Sequence, residues 1–108
     1  MASRTLRDYS NFERTIDCIT YDLIKDKDYS SLIDEIKKFP SWWHQTGSVW
    51  FVVSSQSSVD IRERLKKMMD SDDKVFVIRI NSNDWAGYGF SKEEYDWLKN
   101  RINELNIE

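Results

Sequence analysis

The order in which hydrophobic periodicity switches along this chain constrains its fold more than any other feature. Ile16 to Leu23 (IDCITYDL) is rich in β-branched and aromatic residues and predicts a buried strand. Tyr29, Leu32, Ile33, Ile36 and Phe39 then recur at helical spacing and form one apolar stripe. Pro40 stops that helix, because proline lacks the backbone donor and clashes with the preceding turn. Ser41 to Gln45 and Ser48 to Ser54 are strand-like runs joined by Thr46-Gly47, and a glycine in so short a gap favours a hairpin. Ser57 or Ser58 caps a second helix, whose stripe is Ile61, Leu65, Met68 and Met69. After the polar turn Asp70 to Asp73, Val75 to Ile80 (VFVIRI) is nearly continuous in apolar residues and predicts a central strand. Asn81 to Gly89 is a loop holding both remaining glycines. Ser91 and Glu94 match a capping box, S-x-x-E, and open a last helix striped by Tyr95, Leu98, Ile102 and Leu105.

Two strand–helix–strand halves joined by a hairpin predict an α+β, ferredoxin-like βαββαβ domain with an additional C-terminal helix. Its four-stranded antiparallel sheet has two helices on one face. The first 14 residues, MASRTLRDYSNFER, show no period and read as an extension, residues 1–14, ahead of a domain at 15–108. Alternation sets Ile19, Tyr21 and Leu23 against Cys18, Thr20 and Asp22, and Val49, Phe51 and Val53 against Trp50 and Val52. Both sheet faces therefore carry apolar side chains, while two helices cover one. The uncovered face is expected to bear Trp50, Val52 and Val77. A second copy of the chain is the simplest cover, with the last helix as competitor, so a homodimer is expected.

Composition narrows the function. No apolar run approaches the roughly 20 residues of a membrane span, and the N-terminus lacks an apolar signal core. A cytoplasmic protein without a membrane partner is expected. A single cysteine, Cys18, excludes an internal disulfide and a Cys-rich zinc site, and reads as a small core residue. The chain has 16 basic and 19 acidic residues, for a net charge of −3. Its cations are scattered among acids, as in Arg62-Glu63-Arg64-Lys66-Lys67, the solvated face of the second helix. That pattern argues against coating a long duplex, which needs a basic face, and leaves a small ligand or a short single strand. Five Trp, five Tyr and five Phe supply candidates for core, interface or base-stacking surface.

Three constellations carry candidate chemistry. Asp22, at the end of the first strand, is a solvated carboxylate, a metal or catalytic ligand, or an interface contact. In the hairpin, Trp42, Trp43, His44, Gln45, Ser48 and Trp50 cluster; alternation puts Trp43 on one face and Trp42 with His44 on the other. There His44 is either a structural hydrogen-bonding residue or part of a site. In such a site tryptophan stacks on a base, at about 1–3 kcal/mol per base, and His44, Gln45 or Ser48 bonds its edge or phosphate. The third group is Asn81, Asn83, Asp84, Trp85, Ala86, Gly87, Tyr88 and Gly89. It is either a turn into the last helix or a ligand loop in which amides read edges and aromatics stack. The helix N-terminus near Ser91 would attract an anion there.

The segments TYDL, YSSLIDEIKKF, WWHQTGSVWFV and NSNDWAGYGF resemble the SinR-like proteins. These are small ferredoxin-like relatives of the CRISPR-associated adaptation endoribonuclease, the non-integrase subunit of the spacer-acquisition complex. The resemblance runs from about Asp17 to Leu105. It implies a symmetric dimer in which an aspartate from each subunit, here Asp22, holds Mg²⁺ or Mn²⁺ to position water and offset charge on a phosphate. No second compact carboxylate motif accompanies Asp22, and the nuclease family's arginine-rich turn is replaced by IKDKD, whose charges nearly cancel. The expectation is therefore a non-catalytic homodimer without a cofactor that binds a nucleotide or short single-stranded nucleic acid, holding a nucleotide signal in phage–host defence. The alternatives are a metal-dependent endoribonuclease using Asp22, and a protein-interaction module of a defence or toxin–antitoxin complex.

Overall fold

The computed structural model describes residues 14–25 and 27–108. All of the expected extension except Arg14 lies outside the described residues. The elements are β1 (Thr15–Asp22), α1 (Ser30–Ile36), β2 (Ser41–Thr46), β3 (Val49–Ser54), α2 (Ser58–Lys66), β4 (Lys74–Ile80) and α3 (Lys92–Glu104). The strands form one sheet in the order β2-β3-β1-β4, with every neighbouring pair antiparallel. This is the expected ferredoxin-like arrangement with a third helix added.

Local chemistry sets the element ends. Thr46, Gly47, Ser48 and Val49 close the β2–β3 hairpin, and Tyr21 N–H donates to the Ser48 carbonyl at 3.2 Å, pinning that turn to β1. Ser57 accepts from the Asp60 amide and starts α2. At α3 both capping-box bonds are present: Ser91 Oγ accepts from Glu94 N–H, and Glu94 Oε1 accepts from Ser91 N–H at 2.7 Å. A cap of this kind contributes about 1 kcal/mol.

The two faces of the sheet are filled differently. Beneath α1 and α2, Ile19, Trp50 and Val52 pack with Leu32, Ile36 and Leu65 in a closed cluster. Each such aliphatic side chain contributes roughly 1.5–3 kcal/mol when fully buried. The Trp50 indole N–H donates to the Tyr21 hydroxyl at 3.0 Å, so the one polar atom of that buried ring is satisfied. Arg64 on α2 donates to Glu35 on α1, which ties the helices together. That bond, joined by one from Lys38, holds the Glu35 carboxyl below its ordinary range. On the opposite face α3 covers only part of the sheet, where Ile16 and Val53 meet Leu98 and Ile102. Phe76 and Ile78 on β4 stay 64% and 54% exposed.

Two expectations need correction. Trp50, Val52 and Val77 do not lie on the face left open by the first two helices; they pack beneath α1 and α2. The open face instead carries Cys18, Phe51 and Ile78, which stand opposite one another in the register. Alternation reveals two apolar faces but not which one the helices choose. VFVIRI is an edge strand rather than a central one. Its unbroken apolar run arises because Val75 and Val77 face the helices, while Phe76 and Ile78 face outward.

The loop after β1 is clasped to the turn before β4. The Asp73 carboxylate accepts from Ile24 N–H at 2.9 Å, from the Tyr29 hydroxyl at 2.8 Å and from Asp70 N–H at 2.8 Å. Burial and then the bond to Asp73 raise the Tyr29 hydroxyl above its ordinary pKa. The clasp fixes the sheet end that bears Asp22.

Candidate ligand-binding site

Side chains from three elements enclose a cavity of about 260 Å³ on the sheet face that α3 half covers. Trp43, Thr46, Val49 and Phe51 from the hairpin form its floor. Trp85, Ala86, Gly87 and Phe90, in the segment between β4 and α3, form one wall. Glu94, Tyr95 and Leu98 on α3 form the other. The volume lies just below the ~300–1,000 Å³ of ordinary small-molecule sites, so it suits one ring system better than a whole nucleotide.

The aromatic groups are held in fixed relation. Trp43 stacks on Phe51 with centroids 4.9 Å apart and meets Phe90 at 5.5 Å. Its indole N–H donates to the Glu94 carbonyl at 2.9 Å, which bolts the hairpin to the first turn of α3. Trp85 lies over Tyr95 at 6.3 Å, and Tyr95 meets Phe90 edge-on at 5.5 Å. The Trp85 indole N–H donates to Asn83 Oδ1 at 2.9 Å, so this half-exposed ring is oriented by its own loop. Asn83 N–H in turn donates to the Glu108 carbonyl at 3.0 Å, so the loop is anchored at its start. Gly87 is a fitted position: a Cβ there would stand 2.7 Å from Tyr95 Cε1. Gly89 adopts φ +91°, a left-handed conformation that glycine takes without steric cost.

The structure brings two of the three constellations together, but only in part. Trp43 and Trp85, from the hairpin and the distal loop, line the same cavity. Trp42, His44 and Trp50 sit across the sheet. There His44 stacks on Trp50 at 3.8 Å and 5°, and its Nδ1 lies 3.0 Å from the Val49 carbonyl. Trp50 is fully buried and leaves no surface for a ligand. Trp42 tilts against Trp50 at 5.4 Å, and the Lys37 ammonium lies over the Trp42 ring at 5.5 Å. Gln45 and Ser48 are exposed at the hairpin tip, and Asn81 and Asp84 are exposed beside the loop. Tyr88, at 96% exposure, projects from the loop without lining the cavity.

Asp22 stands apart at the far end of β1, exposed, with Lys74 as its register partner. Among the described residues, no three His, Cys, Asp or Glu side chains are grouped so as to hold a metal ion. The described residues of one chain therefore do not fit a divalent-metal site at Asp22. A second acidic feature lies deeper. Asp17 on β1 is fully buried, accepts from the Thr15 hydroxyl at 2.9 Å through Oδ1 and has no partner at Oδ2 among the described residues. Burial pushes its carboxyl above the ordinary pKa, opposed by the Thr15 bond and by Arg79.

Seven residues of the cavity escape sequence reasoning as site residues: Thr46, Val49, Phe51, Phe90, Glu94, Tyr95 and Leu98. Phe51 reads as strand filler, Tyr95 as helix stripe and Glu94 as a cap, while Phe90 falls between elements. The available signal was the density of aromatics around the capping box, where Phe90 and Tyr95 follow Trp85 and Tyr88 closely.

The family model described as CRISPR associated protein Cas2 matches residues 14–87. No solved structure matches the chain. The family match ends at Gly87, so Phe90 and the whole of α3, which close the cavity, lie beyond it.

Proposed function

The chain belongs to the CRISPR associated protein Cas2 family, and from that premise we propose that it is a SinR-like member that binds the base of a nucleotide or of a short single strand without cleaving it. The observation that carries this reading is the convergence of Trp43 and Trp85 on one apolar cavity. Flat aromatic walls suit the faces of a base, and stacking is sequence-tolerant because every base presents a π-face. The scattered charges of an acidic chain fit the same reading, since stacking needs no basic field. The role that goes with this reading is to hold a nucleotide signal during phage–host defence, and membership of a CRISPR-associated family is consistent with it.

A homodimer belongs to this proposal. Phe76 and Ile78 form an apolar patch that α3 leaves open, and a second copy would cover it. No helix among the described residues is long and apolar enough to cross a membrane.

The test is a titration of intrinsic tryptophan fluorescence with nucleosides and short single-stranded RNA, alongside thermal unfolding. Trp85→Ala is expected to weaken binding by about tenfold to a hundredfold, the equivalent of one lost stack, while the fold persists because the ring is half exposed. Unchanged affinity in a folded variant would refute the site.

Family membership also favours a second reading, a metal-dependent endoribonuclease in which Asp22 of two subunits acts together. It requires RNA cleavage that depends on Mg²⁺ or Mn²⁺ and is lost in Asp22→Asn. Cleavage that survives this substitution, or no cleavage with either metal, removes the reading.

A further inference from the structure

The wall of the cavity is chemically one-sided. Five of its residues, Trp43, Phe51, Trp85, Phe90 and Tyr95, are aromatic, and Glu94 is its one charged residue. Among the described residues, no lysine or arginine lines it. Aromatic faces carry partial negative charge and attract cations, tryptophan most strongly. Glu94 lines the cavity at the start of α3, where its carboxylate accepts from Ser91 N–H. The neighbouring cation, Lys92, is 2.6 Å from Asp96 and is spent there. The aromatic faces that make up most of this wall favour a positively charged ring over a phosphate.

We propose that the cavity selects a planar ring bearing positive charge, the class of an N7-methylated guanine base, and holds it without engaging phosphate. The proposal rests on the base-binding reading above and deepens it by naming the kind of base. The ring fits the cavity, its flat faces meet Trp43 and Trp85, and its delocalised cation answers Glu94. The sugar and any phosphate stay outside, where the cavity opens to solvent.

The experiment is a fluorescence titration of the full chain with guanosine, 7-methylguanosine and 7-methylguanosine 5′-monophosphate, at low and high salt. It is repeated on Glu94→Gln, which removes the charge while glutamine still serves the capping box. The methylated nucleoside is expected to bind about three- to thirtyfold more tightly than guanosine. That ratio falls in Glu94→Gln, and the phosphate adds no affinity at either salt concentration. Equal binding of the two nucleosides, or a gain from phosphate that salt abolishes, overturns the charge preference and leaves base binding standing. Failure of every nucleoside to quench removes the base-binding reading together with this one.

Discussion

The two faces of the sheet are built from the same alternating strands, yet they have opposite characters. The face under α1 and α2 is closed: Ile19, Leu32, Ile36, Ile61 and Leu65 are fully buried, and the polar atom of Trp50 is met by Tyr21. The face under α3 is half open, pairs an aliphatic cluster of Ile16, Val53, Leu98 and Ile102 with an aromatic-lined cavity, and leaves two apolar residues on β4 exposed. The closed face keeps little that could be given to a ligand without unfolding the domain. The open face can lose or gain an occupant while the closed one holds the chain together. Stability and recognition are thus divided between the two sides of one four-stranded layer.

The division can be broken most forcefully from the closed side. Leu65→Ala is expected to cost about 2–5 kcal/mol, since deleting a buried side chain loses transfer energy and leaves a cavity. Urea unfolding measures this, and a loss below 1 kcal/mol would mean that α2 carries less of the fold than its burial indicates.

A smaller effect probes the buried carboxyl of Asp17, which shares the strand parity of Ile19 on the closed face and stands opposite Val52. Asp17 binds its proton more tightly folded than unfolded, because burial raises its pKa. Its contribution to stability is therefore best below the ordinary aspartate range and declines as pH rises through the window between the unfolded and folded values. Asp17→Asn keeps an acceptor for Thr15 and removes the buried charge. It is expected to raise stability at neutral pH by about 1 kcal/mol, with the gain vanishing near pH 3. Thermal unfolding across pH reads the sign, and a gain that is the same at both ends would show that charge is not the cause.

The smallest expected effect on the single chain comes from Ile78→Ser, whose side chain is already more than half in water. Monomer stability should move by no more than about 0.5 kcal/mol. The proposed dimer should weaken, as read by sedimentation across a concentration series. A large loss of monomer stability would place Ile78 in the closed half of the comparison instead.

Much of this architecture is written in local sequence. Pro40 ends α1, Thr46 and Gly47 turn the hairpin, and Ser91 with Glu94 starts α3, because each acts through backbone chemistry within a few residues. The expected parity of Trp43 against Trp42 and His44 also holds. What local sequence does not carry is the choice between two equally apolar faces, and hence the assignment of Trp50, Val52 and Val77. That choice is settled by how α1, α2 and α3 share the sheet, a property of the whole chain. The candidate site divides in the same way. Trp43 and Trp85 are conspicuous as residues, but their meeting depends on α3 lying across β2, and Phe51, Phe90 and Tyr95 become partners only through that crossing.

The position of β4 at the sheet edge has one more consequence. KVFVIRI is seven residues of strong strand formers without proline, and its outer row of backbone donors and acceptors is left unpaired by the sheet. Such an edge is a template for runaway association between chains. Lys74 and Arg79, both exposed, are its only charges, and they carry the same sign. When two edges approach, these cations repel before the strands can zip, and among the described residues no further strand pairs with this edge. Salt weakens that guard: across the span of a single strand its screening is already strong at roughly 0.15 M, where the Debye length is about 8 Å. Resistance to edge-to-edge association at β4 therefore draws on two exposed cations, one of which also faces the buried Asp17.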